Sequence, residues 1–587
     1  MLQKIRNEWK TIVQNQIDEM AKGILGEGAD VPELTIQVPP KPELGDIAFP
    51  LFSYAKVLRM APNKIAAALK DNIESLSDKP EGDLILAGPY LNVKIDVIAL
   101  ADVLYKNIKE NGSEFGKNKQ YDGKKIMIEF SCPNTNKPLH LGHMRNDSLG
   151  MSVSSILMAN GADVQRVNLI NNRGVHICKS MLAYQKFGNG ETPESTGMKG
   201  DHLVGKYYVK FAQWEKEDDT AVDQAKAMLV KWEQGDEEVL KLWNTMNGWT
   251  LDGLAESYKK TGVSFDKYYY ESETYKLGKD KVLKGLEEGV FYKEEDGSVW
   301  IDLEDINLDK KVVLRKDGTS LYMTQDIGTA ISRHDDYPFD SLIYVVASEQ
   351  QYHFKVLFHI LKSLGYTWAK ELYHLSYGMV NLPDGKMKSR EGTVVDADEL
   401  FDSLASIAKK EIQDKERENQ VDGLDKTAEA IALSALNYYL LQVSPTKDMV
   451  FDSKKSISFN GNTGPYLQYM GARISSMVRM FEEQKDEYAS IEFDSKYLTQ
   501  PEERELIKSI ALYPEIVEKA GKDFDPSVIC SYLYDLTKLF SKWYHDNKIL
   551  KAEDKNVVVA RMGLSSLVLQ TIKNAFPLVG VTFLESM

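Results

Sequence analysis

The tetrapeptide His140-Leu141-Gly142-His143 is the most specific chemical signal in the chain. It follows a short apolar run and precedes a helical pattern, so it is expected where a strand leads into a helix. Amides at a helix N-terminus attract anions, and Gly142 lets a phosphate or a purine approach the backbone. Both imidazoles can donate hydrogen bonds to phosphate oxygens. The motif predicts nucleotide binding; the alternatives are two helix-capping histidines or a two-histidine metal site that lacks a third ligand.

A second signal is a run of cations between Gly385 and Gly392. Lys386, Lys388 and Arg390 lie within five residues of sequence. Positive charge of this density can stabilise a leaving pyrophosphate. Such a run is by itself typical of a solvated surface loop, but its place after a predicted strand favours a role opposite the histidines.

Two strand–helix–strand units are expected to position these motifs. Residues 126–130 and 164–170 are predicted as strands of the first unit, and residues 341–347 and 373–380 as strands of the second. Two such units predict a Rossmann-like, doubly wound parallel catalytic sheet, with an inserted subdomain at about 190–310.

Composition and pattern divide the chain into three predicted domains. Residues 1–116 are predicted as a small α+β domain, with helix over 48–72 and strand over 84–96. Residues 117–396 are the predicted catalytic domain, and 397–587 show helical periodicity throughout. The predicted fold class is therefore multidomain, α/β plus all-α.

The composition excludes several classes of protein. The 587 residues carry a formal net charge of −16, which argues against a generally basic nucleic-acid coat. Cys132, Cys178 and Cys530 form no Cys-x-x-Cys pair, so neither a disulfide framework nor a cysteine-based zinc site is expected. Neither a membrane span nor a secretory signal is recognisable, so a cytoplasmic location without membrane contact is expected.

These motifs resemble those of the class I aminoacyl-tRNA synthetases. Residues 140–143 are similar to the family's HIGH motif, and residues 386–390 are similar, with differences, to its KMSKS loop. Among these enzymes the chain most resembles the arginyl-tRNA synthetases, over essentially its whole length. The stretches that carry the resemblance are IEFSCPNTNKPLHLGHMRN (128–146), NNRGVHICKSM (171–181), GDHLVGKYY (200–208), VLRKDGTSLYMTQDI (313–327), EQQYHF (349–354) and FNGNTGPYLQYMGARI (459–474).

One departure from the family concerns the cationic loop. Ser389 stands where the loop usually has its second lysine, with Lys388 one residue earlier. In arginyl enzymes that depart here, a lysine shortly before the HIGH motif is thought to take over, and Lys137 occupies that place. The resemblance implies the following roles: His140, His143, Lys137, Lys386 and Lys388 act in catalysis, and Leu141, Gly142, Met387, Ser389 and Arg390 bind ATP.

The resemblance also implies an arginine pocket. A guanidinium ion prefers planar carboxylate acceptors and stacks on aromatic faces. Tyr322 and Asp326, four residues apart, would share one helix face, although such a spacing alone is typical of a surface pair. Glu129 lies inside an apolar strand, where a cationic substrate would balance its charge. The family places these three residues in the pocket and adds Asn134 and Gln350 as contacts of the substrate α-amino group.

By resemblance, the chain attaches L-arginine to tRNA(Arg) in two steps. The arginine carboxylate attacks the α-phosphate of ATP and releases pyrophosphate, and the terminal ribose 2′-OH of tRNA then accepts the arginyl group. ATP with Mg²⁺ is expected, without a protein-caged metal. Bound tRNA is expected to be needed for the first step, and a monomer is expected.

RNA recognition is expected to rest on local surfaces. Residues 531–587 carry seven Lys or Arg and five Asp or Glu, a net charge of +2. The aromatic side chains of this segment could stack on splayed RNA bases. The alternative is that they pack in the core, which the helical spacing of Trp543 favours for that residue. The resemblance makes 459–587 an anticodon-binding domain and the N-terminal domain a reader of the tRNA elbow. Tyr90 and Asn92 are the candidate residues for the elbow contacts.

Two other functions compete with this reading. A small nucleotidylyltransferase also uses His-x-Gly-His, but it does not need the long helical region. A tRNA-binding relative without catalytic activity is the second alternative, and the intact motif residues argue against it.

Overall fold

The computed structural model describes residues 2–26, 30–383 and 395–587. Its first helices are α1 (Leu2–Leu25), α2 (Pro62–Glu74), α3 (Val97–Asn111), α4 (Leu141–Ala159), α5 (Val175–Phe187), α6 (Pro193–Thr196), α7 (Gly200–Trp214), α8 (Ala221–Glu233), α9 (Glu237–Thr261) and α10 (Glu271–Thr274). They are followed by α11 (Lys279–Glu287), α12 (Tyr322–Asp336), α13 (Gln351–Ser363), α14 (Ala397–Asp414), α15 (Leu424–Leu441), α16 (Ser453–Ser456), α17 (Gly464–Glu483), α18 (Pro501–Asp523), α19 (Ser527–Asp546) and α20 (Lys555–Ala575).

Within the described ranges the strands are short and belong to four sheets. They are β1 (Ile47–Pro50), β2 (Gly82–Ala87), β3 (Tyr90–Ile95), β4 (Lys125–Glu129), β5 (Asp163–Ile170), β6 (Lys267–Tyr270), β7 (Tyr292–Lys293), β8 (Val299–Ile301), β9 (Lys311–Leu314), β10 (Ser341–Ala347), β11 (Leu372–Tyr377), β12 (Val380–Asn381) and β13 (Met449–Val450). Within the described ranges no helix is long and apolar enough to cross a membrane.

The central sheet confirms the predicted doubly wound topology. Its five strands run parallel in the order β11-β10-β4-β5-β6. The chain passes outward from β4 to β6 and then returns to the other side of β4 with β10 and β11. The order therefore reverses between β4 and β10, and a crevice for ligands is expected at the carboxyl ends of these two strands.

Helix α4 begins at the His-x-Gly-His motif and is buried along most of its length, as a helix inside a large core must be. Asn146 on α4 connects the loop that follows β4 to strand β10. Its Oδ1 accepts a hydrogen bond from Ser131 N (2.5 Å), and its Nδ2 donates one to Val345 O (2.7 Å).

The region 190–310, predicted as an inserted subdomain, also contributes one strand to the central sheet. Helices α7, α8 and α9 pack with α5 around Leu203, Phe211 and Met246, and β7, β8 and β9 form a small antiparallel sheet. Between them, β6 is an edge strand of the central sheet. The predicted domain boundaries remain predictions.

The chain divides into two compact units. The central sheet belongs to the unit of residues 117–473, 517–534 and 575–587. The other unit combines residues 1–116 with 474–516 and 535–574. It contains the antiparallel sheet β1-β3-β2.

The helix predicted over 48–72 is only partly present. Residues 47–50 form β1 and pair with β3, and α2 begins at Pro62, a residue well suited to a first helical turn. The single strand predicted over 84–96 is a hairpin, because the chain turns at Gly88 (φ +62°) and β2 pairs with β3. Long-range strand pairing overrides the local helical spacing in the first case.

Candidate active site

A cavity of about 190 Å³ opens at the carboxyl ends of β4 and β10, where the topology predicts a ligand. Its floor comes from the two strands, through Glu129, Tyr344 and Val346. Helix α12 supplies one wall. The remaining lining residues include Leu169, Gln350, His353, Phe354 and Leu357.

The charge of Glu129 is balanced by another residue of the protein. The carboxylate is 6% exposed and forms an ion pair with Arg333, which is 1% exposed. The guanidinium also lies over the Tyr269 ring, 4.9 Å from its centroid. The sequence analysis expected a cationic substrate to balance the charge of Glu129. The structure shows that Arg333 on α12, which the sequence analysis did not identify, already does so.

A stripe of α12 faces the cavity. Asp326, Thr329 and Arg333 all line it, at the i, i+3 and i+7 spacing of one helix face. Asp326 Oδ2 lies 2.6 Å from His353 Nε2, and both groups are partly exposed. Helical spacing from Asp326 could have identified Arg333 in the sequence, whereas nothing in the spacing pointed to His353.

A further carboxylate, that of Glu271, is influenced by the charge of Asp326. Burial raises the pKa of Glu271 to about 7; Arg173 opposes this rise and the negative charge of Asp326 adds to it. Glu271 directly follows β6, so it lies at the carboxyl end of that strand, as Glu129 lies at the carboxyl end of β4. A bound cation near it would favour the ionised form.

The two motif histidines form a defined pair at the start of α4. His140 Nδ1 accepts a hydrogen bond from Gly142 N, and His143 Nδ1 accepts one from His140 N, both at 3.1 Å. Burial, reinforced by the charge of Lys137, lowers the pKa of His140 to about 4, and burial lowers that of His143 well below its usual value. Both neutral rings therefore carry their proton on Nε2 and can donate it to a ligand.

Lys137 lies in the loop before the histidines and is largely buried, which lowers its pKa. No carboxylate among the described residues forms an ion pair with it. Its charge is thus available to an anionic ligand. Gly142 and Leu141 occupy the first turn of α4, as predicted.

The predicted cationic residues Lys386, Met387, Lys388, Ser389 and Arg390 lie outside the described residues. The segment after them is described and is joined to the histidine motif. Leu141 N donates to Val395 O and Ala397 N donates to Leu139 O, each at 3.1 Å.

The loop between β4 and the histidines begins with a constrained turn. Ser131 (φ +71°) and Cys132 (φ +48°) both adopt left-handed backbone conformations, which are unfavourable for side chains other than glycine. Asn146 and Asn168 accept hydrogen bonds from their two amides. Sequence patterns gave no sign of this turn.

The other predicted arginine contacts differ in exposure and in whether they line the cavity. Gln350 lines the cavity. Asn134 is exposed and pairs with Asn171 in a parallel bridge. Tyr322 begins α12, one turn before Asp326, and is 73% exposed without lining the cavity.

The predicted RNA contacts need one correction. Asn92 is 2% exposed and donates its Nδ2 to Leu44 O, so its amide supports the β3 region instead of facing solvent. Tyr90 is partly exposed and contacts Phe52 edge-to-face. Trp543 is fully buried, and its Nε1 donates a hydrogen bond to Glu503 Oε1 (3.3 Å). This confirms the prediction that Trp543 packs in the core.

Comparison with known proteins agrees with this geometry. The family model for the class I (R) tRNA synthetase catalytic domain matches residues 105–453, the arginyl tRNA synthetase N-terminal domain matches 7–95, and the DALR anticodon-binding domain matches 467–587. The arginine–tRNA ligase of Treponema denticola is 54% identical over 100% of both chains, and that of Bacteroides thetaiotaomicron is 45% identical over 94% of this chain and 96% of its own.

A solved structure shows the same fold. The Thermus thermophilus arginyl-tRNA synthetase superimposes with a TM-score of 0.78 at 22% identity, covering 99% of this chain and 100% of that one. At that identity the likeness concerns the fold alone, but the sequence relatives are much closer. The chain belongs to the arginyl-tRNA synthetase family.

Proposed function

We propose that this chain is an arginine–tRNA ligase that activates L-arginine with ATP and transfers it to the 3′-terminal 2′-OH of tRNA(Arg). The single observation that carries the proposal is the cavity at the topological switch point. Asp326 and Gln350 line it, with Glu271 close by, while its buried Glu129 is already paired internally. A positive charge bound there would meet the partly exposed Asp326 carboxylate, and guanidinium is a planar cation that pairs with carboxylates in a fork.

In the first step, an oxygen of the arginine carboxylate forms a bond to the α-phosphorus as the bond to pyrophosphate breaks. His140 and His143 donate Nε2 protons in hydrogen bonds to the phosphate oxygens, and Lys137 supplies positive charge. All three residues act by position and charge and do not exchange protons in this step. Lys386 and Lys388 are proposed to assist, and Met387, Ser389 and Arg390 to contact ATP.

The amino-acid side of the site is proposed to follow the α12 stripe. Asp326 binds the guanidinium, and Tyr322 stacks on it from the solvent side, since the two are one helical turn apart. Glu129, paired with Arg333, is proposed to belong to the same arginine pocket. Asn134 and Gln350 are proposed to contact the α-amino group of the substrate.

Mg²⁺ is proposed to arrive with ATP. Among the described residues, the one group of three potential metal ligands is Asp201, His202 and Asp398. Lys199 Nζ already binds both carboxylates of this group, at 3.1 and 2.6 Å, so the group does not suit a cation. We further propose that residues 459–587 bind the anticodon, that Tyr90 contacts the elbow, and that the protein is a cytoplasmic monomer.

The proposal is tested by ATP–pyrophosphate exchange with each of the twenty amino acids, with and without total tRNA. Exchange that requires arginine supports the ligase, and exchange that also requires tRNA supports the expected coupling of the two steps. Exchange with arginine alone would keep the specificity and reject the coupling. If no amino acid supports exchange, the proposal is wrong, and tRNA filter binding would then test a non-catalytic tRNA-binding function.

A further inference from the structure

A network of buried charges joins helix α7 to the start of α14. Lys199 Nζ lies 2.6 Å from Asp398 Oδ2 and 3.1 Å from Asp201 Oδ2. His202 Nε2 lies 3.0 Å from Asp396 Oδ2 and 3.6 Å from Asp398 Oδ2. The five side chains are between 0% and 27% exposed, so solvent screens them weakly.

Asp396 connects this network to the histidine motif. Its backbone pairs with that of His140 in an antiparallel bridge. Its side chain accepts hydrogen bonds from Asp398 N (2.9 Å) and Glu399 N (3.0 Å) and so caps α14. A side chain that contacts Asp396 from α7 therefore acts on the position of His140.

Helix α7 also contacts the lysine side of the same loop. A Cβ atom added at Gly205 would lie 2.8 Å from Pro138 Cδ and 3.5 Å from Lys137 Cα. The absence of a side chain at this position lets the helix pack directly against the Pro138 ring and the Lys137 backbone.

We propose that α7 is a positioning element of the active site, in which His202, through Asp396, and Gly205, through Pro138, hold Lys137 and His140 in register for adenylate formation. The inference rests on the proposed ligase function and extends it to residues that do not touch the substrates. Neither His202 nor Gly205 lines the cavity at the carboxyl ends of β4 and β10, where arginine is proposed to bind. Changes at these residues should therefore lower the rate of activation and leave arginine binding intact.

The test is arginine-dependent ATP–pyrophosphate exchange by the full chain with tRNA present. His202→Gln is expected to lower kcat about 10-fold, because small displacements of catalytic groups are costly, while the arginine KM changes less than about 2-fold. Asp396→Asn keeps the helix cap, since asparagine caps as well as aspartate, and removes the charge that faces His202. The double variant should be no slower than the slower single variant, because both changes break one connection.

Two controls are matched to these variants. His359→Gln breaks another histidine–aspartate contact, 3.5 Å from Asp305, and should leave kcat unchanged. Gly205→Ala should lower kcat, and Gly248→Ala, on a neighbouring helix with nothing within 4 Å of the added Cβ, should not. Thermal unfolding of each variant identifies any that fail to fold, and the glycine pair then carries the test in place of the histidine pair.

The outcomes separate this inference from the proposed function. Equal kcat values for His202→Gln and His359→Gln, or strictly additive losses in the double variant, would overturn the positioning role alone. A rise in arginine KM that accounts for the whole loss would overturn it as well. Absence of exchange in the unchanged chain would reject the ligase function together with the inference.

Discussion

Asp326 carries the main amino-acid contact proposed for this chain. Its carboxylate is partly exposed at the cavity and shares its hydrogen bonding only with His353 among the described residues. Asp326→Asn should raise the arginine KM roughly 10- to 150-fold, since a hydrogen bond to a charged group is worth about 1.5–3 kcal/mol. Asp340→Asn is the control, because this exposed aspartate directly precedes the start of β10, whereas the cavity lies at the carboxyl end of that strand. An unchanged arginine KM would contradict the pocket assignment.

The Glu129–Arg333 pair has a structural role that the Asp326–His353 pair does not share. Arg333→Met should lower the free energy of unfolding by about 3–5 kcal/mol, because it leaves a buried carboxylate without a partner. Lys124→Met, which breaks the exposed pair with Asp340 (3.1 Å), should cost at most about 1 kcal/mol. Urea unfolding measures both values. Similar losses for the two variants would show that the Glu129 carboxylate finds another partner.

His140 couples stability to pH. Its pKa of about 4 in the folded state is below the ordinary 6.5, so between these values the unfolded chain binds a proton that the folded chain does not. Its contribution, about 3 kcal/mol at most, is full above pH 6.5 and is lost as the pH falls towards 4. The loss of stability between pH 7 and pH 5, measured by urea unfolding, should therefore be smaller in His140→Asn. An equal loss in both proteins would refute the shift.

At the level of elements, two glycines let α12 approach α11. A Cβ at Gly328 would lie 2.3 Å from Gly278 N, so an alanine there must displace α12, which carries Tyr322 and Asp326. Gly328→Ala should cost about 1–3 kcal/mol of stability and raise the arginine KM. Gly248→Ala should neither lower the stability nor raise the arginine KM, because nothing lies within 4 Å of the added Cβ. If Gly328→Ala lowers stability with an unchanged KM, the position of α12 does not control arginine binding.

At the level of the whole molecule, residues 1–116 complete a unit with C-terminal helices. Arg6 Nη1 binds Glu515 Oε2 at 2.5 Å, Lys508 Nζ binds Asp46 Oδ1 at 2.9 Å, and Tyr105 stacks on Phe493. A chain that starts at residue 117 should unfold at a temperature several degrees lower, because these partners lose packing and charge. Adding the fragment 1–116 in trans should restore part of the loss, and a fragment with Asp46→Ala should restore less. Equal unfolding temperatures for the full and shortened chains would contradict this.

The sequence by itself determined the family, the parallel sheet and the residues of the histidine motif. Those features are encoded locally: strand 341–347 was predicted at its observed bounds, and His140 to His143 lie at a strand–helix junction as expected. Local patterns failed where distant residues decide the conformation. Residues 47–50 form a strand only because β3 pairs with them, and the turn at Ser131 is held by amides from α4 and β5.

Only the tertiary structure decided how charges are paired. The sequence showed Glu129 inside a strand, but its ion pair with Arg333 depends on α12 lining the same cavity as the ends of β4 and β10. In the same way, the burial of Asn92 and the contact between His202 and Asp396 arise from residues far apart in the chain. Ion pairs and desolvation depend on distances of a few ångströms between elements, and sequence spacing does not specify those distances.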